Sequence, residues 1–166
     1  MDFTLSLSIF WGIIAFFVVT FVGMCHSGFN ALVLKMDKDK IGDVQSVKEF
    51  AYKYSKIVRE ADSIYDVKSY AVTVKFHPLY NILLWPVFAL IYLNQLQPGN
   101  IWMAAFYAAI IWLTVSIVLD MFIWVIIKHP WRLTWKEFYI DYQPGLTITY
   151  IVIFSSPFIG VLLKMI

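Results

Sequence analysis

FHPLYNILLWPVFALIYLNQLQPGNIWMAAFYAAIIWLTVSIVL, residues 76–119, holds no Asp, Glu, Lys or Arg. A helix needs about 20 apolar residues to cross the hydrocarbon core, so this run is too long for one crossing. In its middle lies Asn94-Gln95-Leu96-Gln97-Pro98-Gly99-Asn100. Proline and glycine among amides make a tight polar turn, and the run reads as a helical hairpin with spans at about 78–95 and 101–127.

Two further charge-free runs flank the hairpin. Phe3 to Leu34 precedes it and gives a span at about 8–31. Tyr142 to Leu163 follows it and gives one at about 146–164. The N-terminal run lacks a basic n-region, with Asp2 the sole charge before Lys35. It is also much longer than the apolar core of a signal peptide, so it reads as a retained first helix. Composition agrees: 61% of the 166 residues are hydrophobic, 14% are charged, and the mean hydropathy is +0.73. Soluble domains carry about 25% charged residues. The length suits one membrane domain, residues 1–166, rather than two. The predicted fold is therefore an all-α integral membrane protein, a four-transmembrane-helix bundle.

The loops carry the topology. Nine of the thirteen Lys and Arg fall in 35–75, three (Lys128, Arg132, Lys136) in 128–145, and none in the 94–100 turn. Basic loops stay cytoplasmic, so both of these segments are expected inside and both termini outside. The expected location is a cell membrane, with a bacterial cytoplasmic membrane the favoured one. A net charge of +2 does not point to nucleic acid. Cys25 is the one cysteine, which excludes an intramolecular disulfide.

Within 35–75, Ser46-x-x-Glu49 fits a capping box, with Asp43 as the alternative cap. Val47, Phe50, Ala51, Tyr54, Ile57, Val58, Ala61 and Ile64 then recur at helical spacing, opposite Lys48, Lys53, Lys56, Arg59, Glu60 and Asp62. This predicts a cytoplasmic amphipathic helix of about five turns between helices 1 and 2. Tyr70 to Phe76 is rich in β-branched residues and reads as a short extended lead-in. In 128–145, Thr134-x-x-Glu137 is a second capping box. Trp131, Arg132, Trp135 and Lys136 have the aromatic and basic character of a membrane interface, with Phe138, Tyr139 and Tyr142 beside them.

Ionisable residues inside spans are costly and are functional candidates by default. Two occur, His26 and Asp120, at similar expected depth on the cytoplasmic side. As a pair they would act as base and orienter on a lipid. Asn30, Asn81, Thr114 and Ser116 join them in an expected interhelical polar network, while Gly23, Gly28 and Ala104, Ala105, Ala108 and Ala109 permit close helix contact. His77-Pro78 and His129-Pro130 read as helix-boundary devices. No two of the three histidines have the spacing that ligates a metal from one helix, so neither metal nor other cofactor is expected. There is no glycine-rich phosphate loop, no His-Glu-x-x-His and no pair of intramembrane aspartates. The leading expectation is a non-enzymatic subunit or accessory component of a membrane complex, in contact with membrane lipids and forming a homo-oligomer or larger assembly. The alternatives are a small oligomeric transporter, channel or pore, and a lipid-directed enzyme using His26 and Asp120.

Overall fold

The computed structural model describes residues 3–129 and 131–166, so Asp2 and Pro130 lie outside the described residues. Helix is the one regular structure among them. Four helical stretches are long and apolar enough to cross a membrane: Thr4–Leu32, Lys68–Leu96, Ile101–Ile126 and Gly145–Met165. In chain order the α-helices are α1 (Phe3–Leu32), α2 (Lys38–Ile41), α3 (Val47–Glu60), α4 (Lys68–Leu96), α5 (Ile101–Asp120) and α6 (Gly145–Met165). A 3-10 turn, Ile64–Asp66, precedes α4. A π-helical stretch, Met121–Ile126, continues α5, and a π-helical turn, Glu137–Asp141, precedes α6.

The turn at 97–100 forms as its residues dictate. Gln97 takes the left-handed conformation that ends α4, and the Asn100 side chain accepts the Met103 amide at 3.1 Å to start α5. The backbones of the two helices that it joins come close at few points. α4 packs instead on α1 and α6, and α5 packs on α6 and α1.

Two local readings are corrected. Residues 70–76 are helical, not extended, because α4 begins at Lys68 rather than near 78. β-branched residues disfavour helix only weakly, and tertiary context overrides them. Here the context is Asp37, wholly buried, whose carboxylate accepts the Lys68 and Ser69 amides at 2.9 and 3.1 Å. A negative charge on the orphan N–H groups of a helix start is favourable. His77-Pro78 consequently lies inside α4 rather than at its boundary. Counterpart Pro130 is outside the described residues.

The helix after the capping box is also shorter than expected, 14 residues ending at Glu60. Ser46 Oγ accepts the Glu49 amide at 3.1 Å, and the Glu49 carboxylate accepts the Gln45 amide at 2.9 Å. Lys53 and then that amide hold the Glu49 carboxyl below its usual range. Asp43 is not the cap; it pairs with Lys38. Phe50, Tyr54 and Val58 are buried, whereas Val47 and Ala51 are exposed. The second capping box is reciprocal: Glu137 accepts the Thr134 amide at 2.7 Å, and Thr134 Oγ1 accepts the Glu137 amide at 3.2 Å.

At the end of the assembly that carries the 97–100 turn, packing is close and aromatic. Trp112 lies 5.5 Å from Trp85 and 5.8 Å from Tyr92, ring centre to ring centre, and its indole N–H donates to the Ser8 carbonyl. Small residues admit this bulk. Ala104, Ala105, Ala108 and Ala109 are buried. Two glycines not singled out from sequence allow helices to approach closely here. A Cβ on Gly12 would come within 2.8 Å of the Trp112 ring, and one on Gly160 within 2.8 Å of Ala89 Cβ. Gly28, in contrast, has open space beside it. Pro157 removes the amide that would bond the Ile153 carbonyl, and the Ser156 hydroxyl takes that carbonyl at 2.8 Å.

Candidate functional site

A cavity of about 360 Å³ lies among the four long helices, toward the end that carries α3 and the 128–145 segment. Its wall is largely apolar, with Phe16 and Val19 from α1, Trp85 from α4 and Ile153 from α6. His77 and Asn81 from α4, Asp120 from α5 and Thr149 from α6 add polar groups. Phe17 and Met24 also line it and are themselves about half exposed, at 49% and 51%. The cavity therefore reaches the outer surface beside α1. A mainly apolar recess with a few convergent polar groups is the usual form of a small-molecule site.

His77, Asn81 and Asp120 are each held by a named partner, whereas the Thr149 hydroxyl is buried without a hydrogen-bond partner among the described residues. His77 Nδ1 meets the Tyr142 hydroxyl at 2.7 Å. The Asn81 amide donates to the His77 carbonyl at 2.7 Å and its oxygen accepts the Trp85 indole N–H at 2.8 Å. Asp120, buried where α5 gives way to the π-helical stretch, accepts the Tyr150 hydroxyl at 3.0 Å. Wider helical turns of this kind recur at functional sites. The carbonyls that the stretch leaves free are also bonded. His129 Nε2 donates to Ile123 O at 2.6 Å, and the Leu133 amide donates to Trp124 O at 2.8 Å.

The residues expected to form one network divide into separate groups. His26 is held by the Tyr80 hydroxyl and stacks edgewise on Phe76, whereas Asp120 is held by Tyr150; each has its own tyrosine. Asn30 belongs to a third group at the mouth of the assembly, donating to Thr73 Oγ1 at 3.2 Å and Ser69 O at 3.4 Å. Thr114 is exposed and bonds back to Ile110 O. The Ser116 hydroxyl is buried without a hydrogen-bond partner among the described residues. Cys25 is exposed. Among the described residues no group of three or more His, Cys, Asp and Glu is placed to hold a metal.

Tyr54 is the residue that sequence reading passed over as one more apolar position. Its hydroxyl meets Ser27 Oγ of α1 at 2.7 Å and Ser69 Oγ of α4 at 2.8 Å, and its ring lies 5.2 Å from Trp131. Burial raises the hydroxyl's pKa above its ordinary value, which keeps it a neutral donor. Ser27 and Trp131 line the cavity, so α3 is pinned across the cavity's loop-side end. Tyrosine supplies a ring for the apolar face and a hydroxyl for the polar one, and only the first is visible in a periodicity. Of the interfacial residues, Trp135 is exposed and lies 4.2 Å from Tyr139, Lys136 pairs with Asp141 at 2.7 Å, and Arg132 lines a neighbouring recess.

Compared with protein-family models, with curated proteins and with solved structures, the chain matches none of them.

Proposed function

We propose that this chain is a non-enzymatic accessory component of a membrane assembly that works by holding an apolar or amphiphilic membrane molecule in the cavity among its helices. The observation that carries the reading is the cavity itself: about 360 Å³, apolar-walled and reaching the outer surface between apolar side chains of α1. In a bilayer such an opening faces lipid tails, so the occupant enters sideways without crossing water. The ionisable and amide groups on the wall, His77, Asn81 and Asp120, are engaged by Tyr142, Trp85 and Tyr150, which suits a fixed binding wall better than a group poised to move protons.

In this reading the four long helices form a transmembrane bundle. The basic segments 35–75 and 128–145 lie in the cytoplasm and both termini outside, supported by the absence of Lys and Arg from the 97–100 turn. α3 is an amphipathic helix at the inner headgroup layer, with Phe50, Tyr54 and Val58 toward the bundle and Lys48, Lys56 and Arg59 toward water and headgroups. The broad exposed apolar surface of the long helices meets lipid, other copies or partner subunits.

The test is retention. Chain purified in mild detergent is expected to carry a lipid-like molecule detectable by native mass spectrometry, and Thr20→Trp, which fills the cavity wall, is expected to lose it while keeping helix content. Equal retention by Thr20→Trp and the unaltered chain would sink the proposal. Asp120→Asn keeps an acceptor for Tyr150 and is expected to retain both the molecule and biological activity. Loss of activity with retention intact would move the assignment to lipid chemistry at Asp120.

A further inference from the structure

A second recess of about 280 Å³ adjoins the cavity at its loop-side end. Arg59 and Asp62 reach it from the end of α3 and the residues after it, Lys128 and His129 from the residues just after the third long helix, and Arg132 and Glu137 from the segment that follows. Three chain segments thus bring three cations to one place. Neither Arg59, Lys128 nor Arg132 has an ion pair among the described residues. Of the two carboxylates, Glu137 already accepts the Ser63 hydroxyl at 2.6 Å and the Thr134 amide at 2.7 Å, and Asp62 is exposed. Three cations against these two carboxylates leave the recess one positive charge in excess, with two guanidinium forks whose planar donors match phosphate oxygens.

His129 lines both spaces. Its Nε2 donates to Ile123 O, and its Nδ1 accepts the Trp131 amide at 3.1 Å, so a single fixed ring stands between the basic recess and the apolar cavity. Trp131 and Trp135 flank the same segment and have the amphipathic rings that settle at headgroup depth. A phosphate at the three cations would lie at that depth, next to an apolar space beside α1.

We infer that Arg59, Lys128 and Arg132 bind the phosphate of an anionic phospholipid whose acyl chain occupies the neighbouring cavity. The inference rests on the cavity-binding reading above and adds the headgroup class.

The test compares purified full-length chain in detergent with phosphatidylglycerol, with phosphatidylcholine of the same acyl chains, and with inorganic phosphate alone. Retained lipid is read by native mass spectrometry. The unaltered chain is expected to retain phosphatidylglycerol over phosphatidylcholine by about tenfold, the worth of one charged hydrogen bond or more. The triple variant Arg59→Gln, Lys128→Gln, Arg132→Gln is expected to lose that preference while still retaining phosphatidylcholine. The charge-preserving pair Arg59→Lys, Arg132→Lys is expected to keep part of it, which separates lost charge from lost folding. No preference in the unaltered chain, or an undiminished one in the triple variant, overturns the headgroup site and leaves the cavity reading intact. Loss of neither lipid in Thr20→Trp overturns the cavity reading itself. Stabilisation by millimolar inorganic phosphate equal to that by phosphatidylglycerol would assign the cations to a free anion and overturn the lipid.

Discussion

The two ends of this helix assembly are built by opposite means. At the turn end, Gly12, Gly160 and four alanines let helices approach until Trp85, Tyr92 and Trp112 fill the space between them. At the loop end, the helices are held by polar docks: Asp37 on the start of α4, Tyr54 across Ser27 and Ser69, and Asn30 on Thr73. Close packing excludes ligands, because interiors at crystal density have few voids. Docks hold elements together at a few fixed points and leave room between them. The large cavity belongs to the second kind of construction, and its wall runs out where the Trp85 ring begins the first.

Breaking the close-packed aromatic end should cost most. Trp112→Ala removes a buried indole, its two ring neighbours and its bond to Ser8 O, with an expected loss of about 3–5 kcal/mol in denaturant-titrated unfolding. Wild-type stability after this change would show that the aromatic layer does not support the assembly. Asp37→Ala should come next, at about 2 kcal/mol, because two amides at the start of α4 lose a buried carboxylate. Its signature is local: faster amide exchange over residues 68–71 and little change around Trp112. A uniform rise in exchange along the whole chain would contradict the division into two ends. Tyr54→Phe should be the mildest, about 1 kcal/mol, since the ring stays and only the hydroxyl leaves Ser27 and Ser69. Proteolysis in the 42–46 segment is expected to quicken as α3 loosens, and unchanged cleavage would mean that the apolar contacts of α3 suffice.

How much was legible follows the same division. Span positions were readable because lipid-facing residues must be apolar over a known length, and the hairpin was readable because proline, glycine and amides mark turns chemically. The capping boxes at Ser46 and Thr134 were readable because their partners lie three residues away. The partners of the polar residues were not. His26 and Asp120 share a side of the assembly, yet each is held by a tyrosine far along the chain, Tyr80 and Tyr150. Asp37 looked like one acid among many loop charges. Its role depends on a helix start that is distant in sequence and that its own position helps to fix.

The sequence by itself determined an all-helical chain with four stretches fit to cross a membrane, and the positions of most of their ends, since hydropathy, turn chemistry and capping are local properties. Tertiary structure alone decided that α4 starts early, that the backbones of α4 and α5 stand apart despite their short turn and meet through large aromatic side chains, and that α3 lies across a cavity beside three gathered cations. Those outcomes depend on which side chains meet across helices, and periodicity fixes the face on which a residue sits without fixing what it faces.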